Sequence, residues 1–270
     1  MKLFDATLDL AMFAKGTEDY TVSAVNGNKL TCNDLSGRVG EFGGGTIWVR
    51  SGDAAGYFGR IQSAAAQTIT LPEEIDIAPG DEITIGAWLE FDTQKLINAV
   101  NSVLRTYKIM KTNDELRFSP DVTDYEIPEG VTEDIRGVQI EVGPYGSPFQ
   151  SAVTVPGMSW IDSHYWRVEN GWLVLYDRHK VRYKKDGVIR ISYVDYHGAI
   201  GKDDAISNQV DALYLRYMAW LYLCRNLIQN THKDNLVSTD MYNEAKIYER
   251  DYGSLPNKRL RLRVMTFPQW

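Results

Sequence analysis

Between residues 88 and 142 the hydrophobic period changes from that of a helix to that of a strand, and this switch constrains the fold more than any other feature. Asp92 and Thr93 offer side-chain oxygens to the open backbone N–H groups of a helix start. Behind them Leu96, Ile97, Val100, Val103, Leu104 and Tyr107 recur at three and four residues, while Lys95, Asn98, Asn101, Ser102 and Arg105 take the opposite face. From Glu115 the spacing is two. Glu115-Leu116-Arg117-Phe118 and Asp124-Tyr125-Glu126-Ile127 alternate polar with apolar, and Pro128 closes the second run. A one-sided helix needs cover, which the second helical region at residues 206 to 252 is placed to supply. The expectation is an α+β fold with a discontinuous helical core, its helices near 94–107, 206–228 and 240–252, split by a β-rich insertion at 114–196.

Residues 1 to 15 read as a short helix ended by Gly16. Short β-branched or aromatic runs follow: Tyr20-Thr21-Val22, Lys29-Leu30-Thr31, Thr46-Ile47-Trp48-Val49, Gly59-Arg60-Ile61 and Thr68-Ile69-Thr70-Leu71. Asn26-Gly27-Asn28, Gly43-Gly44-Gly45 and Ser51-Gly52-Asp53 supply the turns between them. Strands so closely spaced describe a small β barrel or sandwich at 1–85, followed by the helical core at 86–253 and an extended tail at 254–270. Within the insertion Trp166, Trp172 and Val188 open or lie in strand-like runs. Glu169-Asn170-Gly171 and Lys185-Asp186-Gly187 are the tight turns, and an antiparallel meander is the expected topology. Helix signals return at Asp203-Asp204, a cap pair, and run through Ile206, Val210, Leu213, Tyr217, Leu221, Cys224 and Ile228. Leu215, Met218 and Leu223 spread the apolar surface around that helix.

A chain of 270 residues with 44% apolar and 24% charged residues can bury a sizeable core and is not compositionally disordered. No apolar run reaches the roughly 18 to 20 residues of a membrane span, and the first fifteen residues lack a basic stretch ahead of an apolar one, so neither a membrane protein nor a secretory signal is expected. Cys32 and Cys224 are too few and too far apart for a disulfide framework or a cysteine zinc site. A net charge of −7 disfavours wrapping of nucleic acid but suits a surface that faces DNA without gripping it.

No catalytic constellation emerges. His164, His179, His197 and His232 have no metal-protease spacing, and neither a nucleophile elbow nor a phosphate loop is present. The glycines at 40 and 43–45 fit turns. Acidic pairs at Glu73-Glu74 with Asp76, and at Asp203-Asp204, are the residue types of a glycosidase or calcium site, but they border a loop and cap a helix. The expectation is no enzyme, no cofactor and no metal. The tail has the patterned charge: Arg259, Arg261 and Arg263 alternate with Leu260, Leu262 and Val264, and Phe267 and Trp270 follow. Extended, it presents a basic face and an apolar face, which suits either a solvated edge strand or a segment that docks on a partner protein.

Two stretches resemble known virion proteins. Gly43-Gly44-Gly45-Thr46-Ile47-Trp48-Val49-Arg50-Ser51-Gly52, with Gly56, Arg60-Ile61 and Thr68-Ile69-Thr70-Leu71, resembles a small β module of tailed-phage virions. Residues 91 to 104, continuing to Asp114-Glu115-Leu116 and Tyr125-Glu126-Ile127-Pro128, resemble the helix and β insertion of phage head-to-tail adaptors. The apolar helix at 206–228 and Leu255-Pro256-Asn257-Lys258-Arg259 are similar to their C-terminal half. The resemblance implies a structural neck protein of the virion, made in the host cytoplasm, that forms a homo-oligomeric ring, a dodecamer by that resemblance. It would meet the portal and neighbouring neck or tail proteins and let DNA pass without sequence-specific binding. It also implies that the tail carrying Arg259, Arg261, Arg263, Phe267 and Trp270 docks on the portal. The competing expectation is a tail-associated carbohydrate-binding or receptor-binding module, to which Trp160, Trp166 and Trp172 would contribute.

Overall fold

The computed structural model describes residues 1–14, 16–35, 39–87, 92–142, 157–176, 183–230 and 239–253, with side chains left out at 226–230 and 239–241. Among the described residues lie five helices and fifteen strands in four antiparallel sheets, an α+β fold. The chain forms two compact units. One is the insertion, 108–196; the other joins 1–107 to 197–253.

In the two-segment unit the helices are α1 (Leu3–Phe13), α2 (Val39–Phe42), α3 (Thr93–Leu104), α4 (Ala212–Asn230) and α5 (Thr239–Tyr252). Its strands are β1 (Thr17–Thr21), β2 (Ala24–Asn26), β3 (Lys29–Thr31), β4 (Thr46–Val49), β5 (Phe58–Arg60), β6 (Ser63–Ala65), β7 (Thr68–Thr70) and β8 (Glu82–Gly86). They form two sheets, ordered β1-β8-β4-β5 and β2-β3-β7-β6. Leu30, Ile47, Val49, Ile69, Ile83 and Ile85 from both sheets share one core, so of the two expected shapes the sandwich is the one seen, and the described strands close no barrel. Ile47 and Val49 point into that core. Trp48, between them, points the other way and is also fully buried, and its indole N–H donates to the Thr7 hydroxyl of α1 at 3.1 Å. The Thr46 and Thr93 hydroxyls meet at 2.8 Å, tying β4 to the start of α3. A sheet buried on both faces needs helices on its second face, which is why the N-terminal strands share a unit with the helical core instead of standing apart at 1–85.

Helix α3 starts where its cap dictates, with Asp92 accepting from the Gln94 and Lys95 N–H groups at 3.0 and 3.1 Å. Its buried face, Leu96, Val100, Val103 and Leu104, packs against α4, and α1 packs against both. Asn101 departs from the expected polar face. It is 8% exposed, and its amide donates to the Ile200 carbonyl and accepts from the Ile200 N–H at 3.1 and 2.9 Å. Helix α4 begins at Ala212, well after Asp203-Asp204, and its cap is Asp211, which accepts from the Tyr214 N–H at 3.0 Å. Residues 203–211 are held out of the helix by partners distant in sequence. The Ile206 N–H donates to the Met1 carbonyl, the Ser207 N–H to His197 Nε2, and Tyr107 Oη donates to the Gln209 carbonyl while accepting from the Asp211 N–H.

The insertion comprises β9 (Lys108–Arg117), β10 (Asp124–Glu126), β11 (Ile135–Glu141), β12 (Met158–Ile161), β13 (Trp166–Glu169), β14 (Trp172–Leu175) and β15 (Val188–Tyr196). It opens at 108, six residues before the expected 114, because β9 is longer than its alternating part. The two sheets run β12-β11-β15-β9 and β10-β14-β13. This is not a meander, since the last strand lies between β9 and β11; β15 carries Ile189, Ile191, Tyr193 and Val194, all buried, and an apolar strand of this kind belongs at a sheet's centre. Asn170 and Gly171, at φ of 50° and 81°, make the expected tight turn from β13 to β14. Phe118, Tyr125, Val138, Ile140, Leu173, Leu175, Ile189 and Ile191 form one core.

Candidate functional site

Arg259, Arg261, Arg263, Phe267 and Trp270 lie outside the described residues, as do His179 and His232. His164 is exposed and bonds its neighbour Asp162, with Nδ1 and Oδ1 2.6 Å apart. His197 is structural: Nε2 accepts from the Ser207 N–H, and Nδ1 lies 3.1 Å from the Gly198 carbonyl. Asp204 accepts from the Gly201 N–H, while Glu73, Glu74 and Asp76 are exposed. Among the described residues no group of three or more His, Cys, Asp or Glu is placed to hold a metal ion. No described helix is long and apolar enough to cross a membrane.

The chemistry-bearing surface is instead the outward face of the three-stranded sheet. In β14, Leu173 and Leu175 enter the core, which by strand alternation turns Trp172 and Val174, and Tyr176 just past the strand end, to the other face, where Val174 is buried between its neighbours. Trp172 and Tyr176 are 44% and 42% exposed. Register places Glu126 of β10 and Glu169 of β13 on either side of Trp172, and Asp124 and Arg167 on either side of Val174. The Arg167 guanidinium lies 4.8 Å from the Tyr176 ring centre and pairs with Glu169. Trp160 of β12 is also exposed, whereas Trp166 turns inward onto the core, and so of the three expected surface tryptophans two are at the surface.

Around this face the sequence is acidic. Residues 121–134 carry Asp121, Asp124, Glu126, Glu129, Glu133 and Asp134 and no Lys or Arg. All but Asp134 are exposed, and Asp134 is taken by Arg136. Glu126 has no ion-pair partner among the described residues, and Asp124 accepts only from its neighbour Thr123. The face offers rings to stack on and carboxylates that accept hydrogen bonds, which suits it to hold cationic or hydroxyl-rich groups. Alternation marked Asp124 to Ile127 as a strand, but its partnership with Trp172 depends on a pairing that sequence spacing does not encode.

The helical unit has its own surface cluster. Tyr217 of α4 stacks on Tyr248 of α5 with ring centres 4.5 Å apart, and Tyr248 meets Tyr252 at 4.7 Å. A hydrogen bond to the Glu244 carboxylate pushes the Tyr217 hydroxyl up to about 12. Glu249 joins α5 to α4 through Arg225 at 2.9 Å, and a hydrogen bond from Lys246, reinforced by Arg225, holds its carboxyl below the ordinary range. Leu213 and Ile247 are exposed on the same pair of helices.

No protein-family model matches this chain, and no curated protein matches it significantly.

Proposed function

We propose that the chain is a structural virion protein of a tailed bacteriophage, a head-to-tail adaptor that closes into a ring, joins the portal to the tail and lines the DNA channel. The observation that carries this reading is the packing of α3 on α4 across the whole inserted β unit, the split-core layout that adaptor proteins have by resemblance. Its acidic balance of −7 is compatible with a channel wall that DNA passes without being held. The reading assigns the chain no enzymatic role. The test is mass photometry and negative-stain microscopy of the pure chain, alone and with its portal. A ring of fixed copy number is expected, and a chain that stays monomeric with the portal present overturns the proposal.

The exposed rings of Trp160, Trp172 and Tyr176 favour a second reading, a tail-associated module that binds carbohydrate or a receptor. Sugar rings stack on exposed aromatics while carboxylates accept their hydroxyls. Saturable binding in a glycan array, lost on Trp172→Ala, would replace the adaptor reading if no ring forms.

A further inference from the structure

We propose that the free edge of β10 receives residues 258–264 of a second copy of this chain as an added β-strand. The choice of a second copy rests on the ring reading above; the choice of edge and segment does not.

The edge is identified by its hydrogen bonds. The Ile127 N–H donates to the Gly171 carbonyl at 2.9 Å, and the Leu175 N–H donates to the Thr123 carbonyl at 2.8 Å. Residues 123 and 127 thus turn their peptide groups toward β14, and by the alternation of an antiparallel ladder Asp124 and Glu126 turn theirs to the opposite side. Among the described residues no backbone group pairs with them there. Unpaired edge groups are a template for another strand.

Charge then selects both edge and occupant. The other three sheet edges of this unit suit a basic strand less well: β9 sets three cations, Lys108, Lys111 and Arg117, against the carboxylates of Asp114 and Glu115, with Lys111 on Asp195 and Asp114 on Arg190; on β13, Arg167 holds Glu169; and β12 has no charged residue. Of these edges β10 is the one with two carboxylates, Asp124 and Glu126, and no Lys or Arg, and neither carboxylate has a cation among the described residues. The matching sequence is Lys258-Arg259-Leu260-Arg261-Leu262-Arg263-Val264. Extended along β10, it brings its arginines onto the face of Asp124, Glu126 and the Trp172 ring, and its leucines onto the face where Tyr125 enters the core. Each copy then gives one segment and receives one, a head-to-tail contact that closes into a ring when the rotation permits.

The experiment uses three full-length charge-reversed chains, all altered at exposed or tail positions, with association read by sedimentation velocity. Asp124→Arg with Glu126→Arg destroys the acceptor. Arg259→Glu with Arg261→Glu and Arg263→Glu destroys the donor. The third chain carries all five changes. The first two should each self-associate at least tenfold more weakly than wild type, should associate when mixed because each edge then meets a tail of opposite charge on the other chain, and the five-fold variant should recover assembly. If acceptor reversal leaves ring formation unchanged, the edge assignment fails and the ring reading stands. If the five-fold variant recovers but the mixture does not associate, each tail serves its own copy and the second-copy assignment fails. A wild-type chain that is monomeric alone and with the portal overturns the ring reading and the donor copy together.

Discussion

Arg216 of α4 grips Asp9 of α1 through two nitrogens, with Nε 2.6 Å from Oδ2 and Nη2 on Oδ1, across 207 residues of sequence. This hydrogen-bonded pairing raises the guanidinium above its ordinary value, although Arg is charged at neutral pH with or without it. Beside the pair the Phe13 ring centre lies 5.7 Å from the Arg216 guanidinium carbon, and Phe13 meets Trp220 and Tyr217 edge to face. The contact pins the N-terminal helix to the second half of the discontinuous core.

Removing that grip should loosen α1 first. Arg216→Ala loses a two-point ionic hydrogen bond and the cover of Phe13, while the partial exposure of both side chains screens the charge; the expected cost is about 1–2 kcal/mol. Hydrogen exchange should show faster opening of residues 3–13, and Arg216→Lys should recover only part of the protection because one ammonium cannot make both bonds. Unchanged exchange in α1 would mean that apolar packing alone holds it.

Leu104 is fully buried where α3 meets α4. Leu104→Ala leaves a cavity and is expected to cost about 2–5 kcal/mol. The denaturant midpoint should fall without a change in the dependence on denaturant. A wild-type midpoint would place the side chain outside the core that joins the two segments.

Both helices of that contact were legible in the sequence, for different reasons. The Asp92 cap and the three-four spacing behind it are local signals, and they set the start of α3 to within a residue. The start of α4 is not legible in the sequence because Asp203-Asp204 and Asp211 are locally equivalent as caps; the decision comes from Met1, Tyr107 and His197, which hold residues 206–211 out of the helix. The first half of β9, Lys108 to Asn113, carries no strand signal because it mixes polar and apolar residues without alternation, and its strand state comes from pairing with β15. Nor does a strand's own sequence state which neighbours it takes, so the placing of Glu126 and Glu169 on either side of Trp172 is not legible in any one of the three runs.

The insertion should be acid-labile. Hydrogen bonds from Lys111, Lys184 and Arg190 hold the carboxyls of Asp195, Glu141 and Asp114 below their ordinary values. Because the folded values are depressed, their contribution is fully present above the unfolded values of about 3.9 for Asp and 4.3 for Glu, and is lost as pH falls through the folded values. Urea midpoints of the insertion, followed by its hydrogen exchange, should therefore drop between about pH 5 and the strongly acid range. Asp195→Asn with Glu141→Gln should lower stability at neutral pH and flatten the acid slope. A slope unaltered by these changes would assign the lability to other carboxylates.

Gly45 lies where β4 begins beside β8. A Cβ added there would fall on the carbonyl oxygen of Gly86, which is backbone and has no rotamer to yield. Gly45→Ala should separate the two strands and cost about 1–3 kcal/mol or more. The same change at Gly40, where a Cβ meets nothing within 4 Å, is the control and should leave the melting temperature nearly unchanged. Equal effects at the two sites would show that β4 and β8 do not need this close approach.

The thiols provide a direct probe of both halves of the two-segment unit. Cys32, in the sandwich core, and Cys224, on α4, are both 0% exposed; burial pushes Cys32 up to about 11, with help from Asp34, and Cys224 up to about 12. A thiol reagent needs both access and thiolate, and the folded protein at mildly alkaline pH denies it both. Neither residue should be modified by a thiol reagent in the native chain, and both should react within minutes in denaturant. Because the sandwich and the helical layer form one unit, the two sites should become reactive together along a denaturant series rather than in two steps. If Cys224 reacts at a lower denaturant concentration than Cys32, the helical layer opens before the sandwich, and the ties from Trp48 to Thr7 and from Thr46 to Thr93 do not couple them.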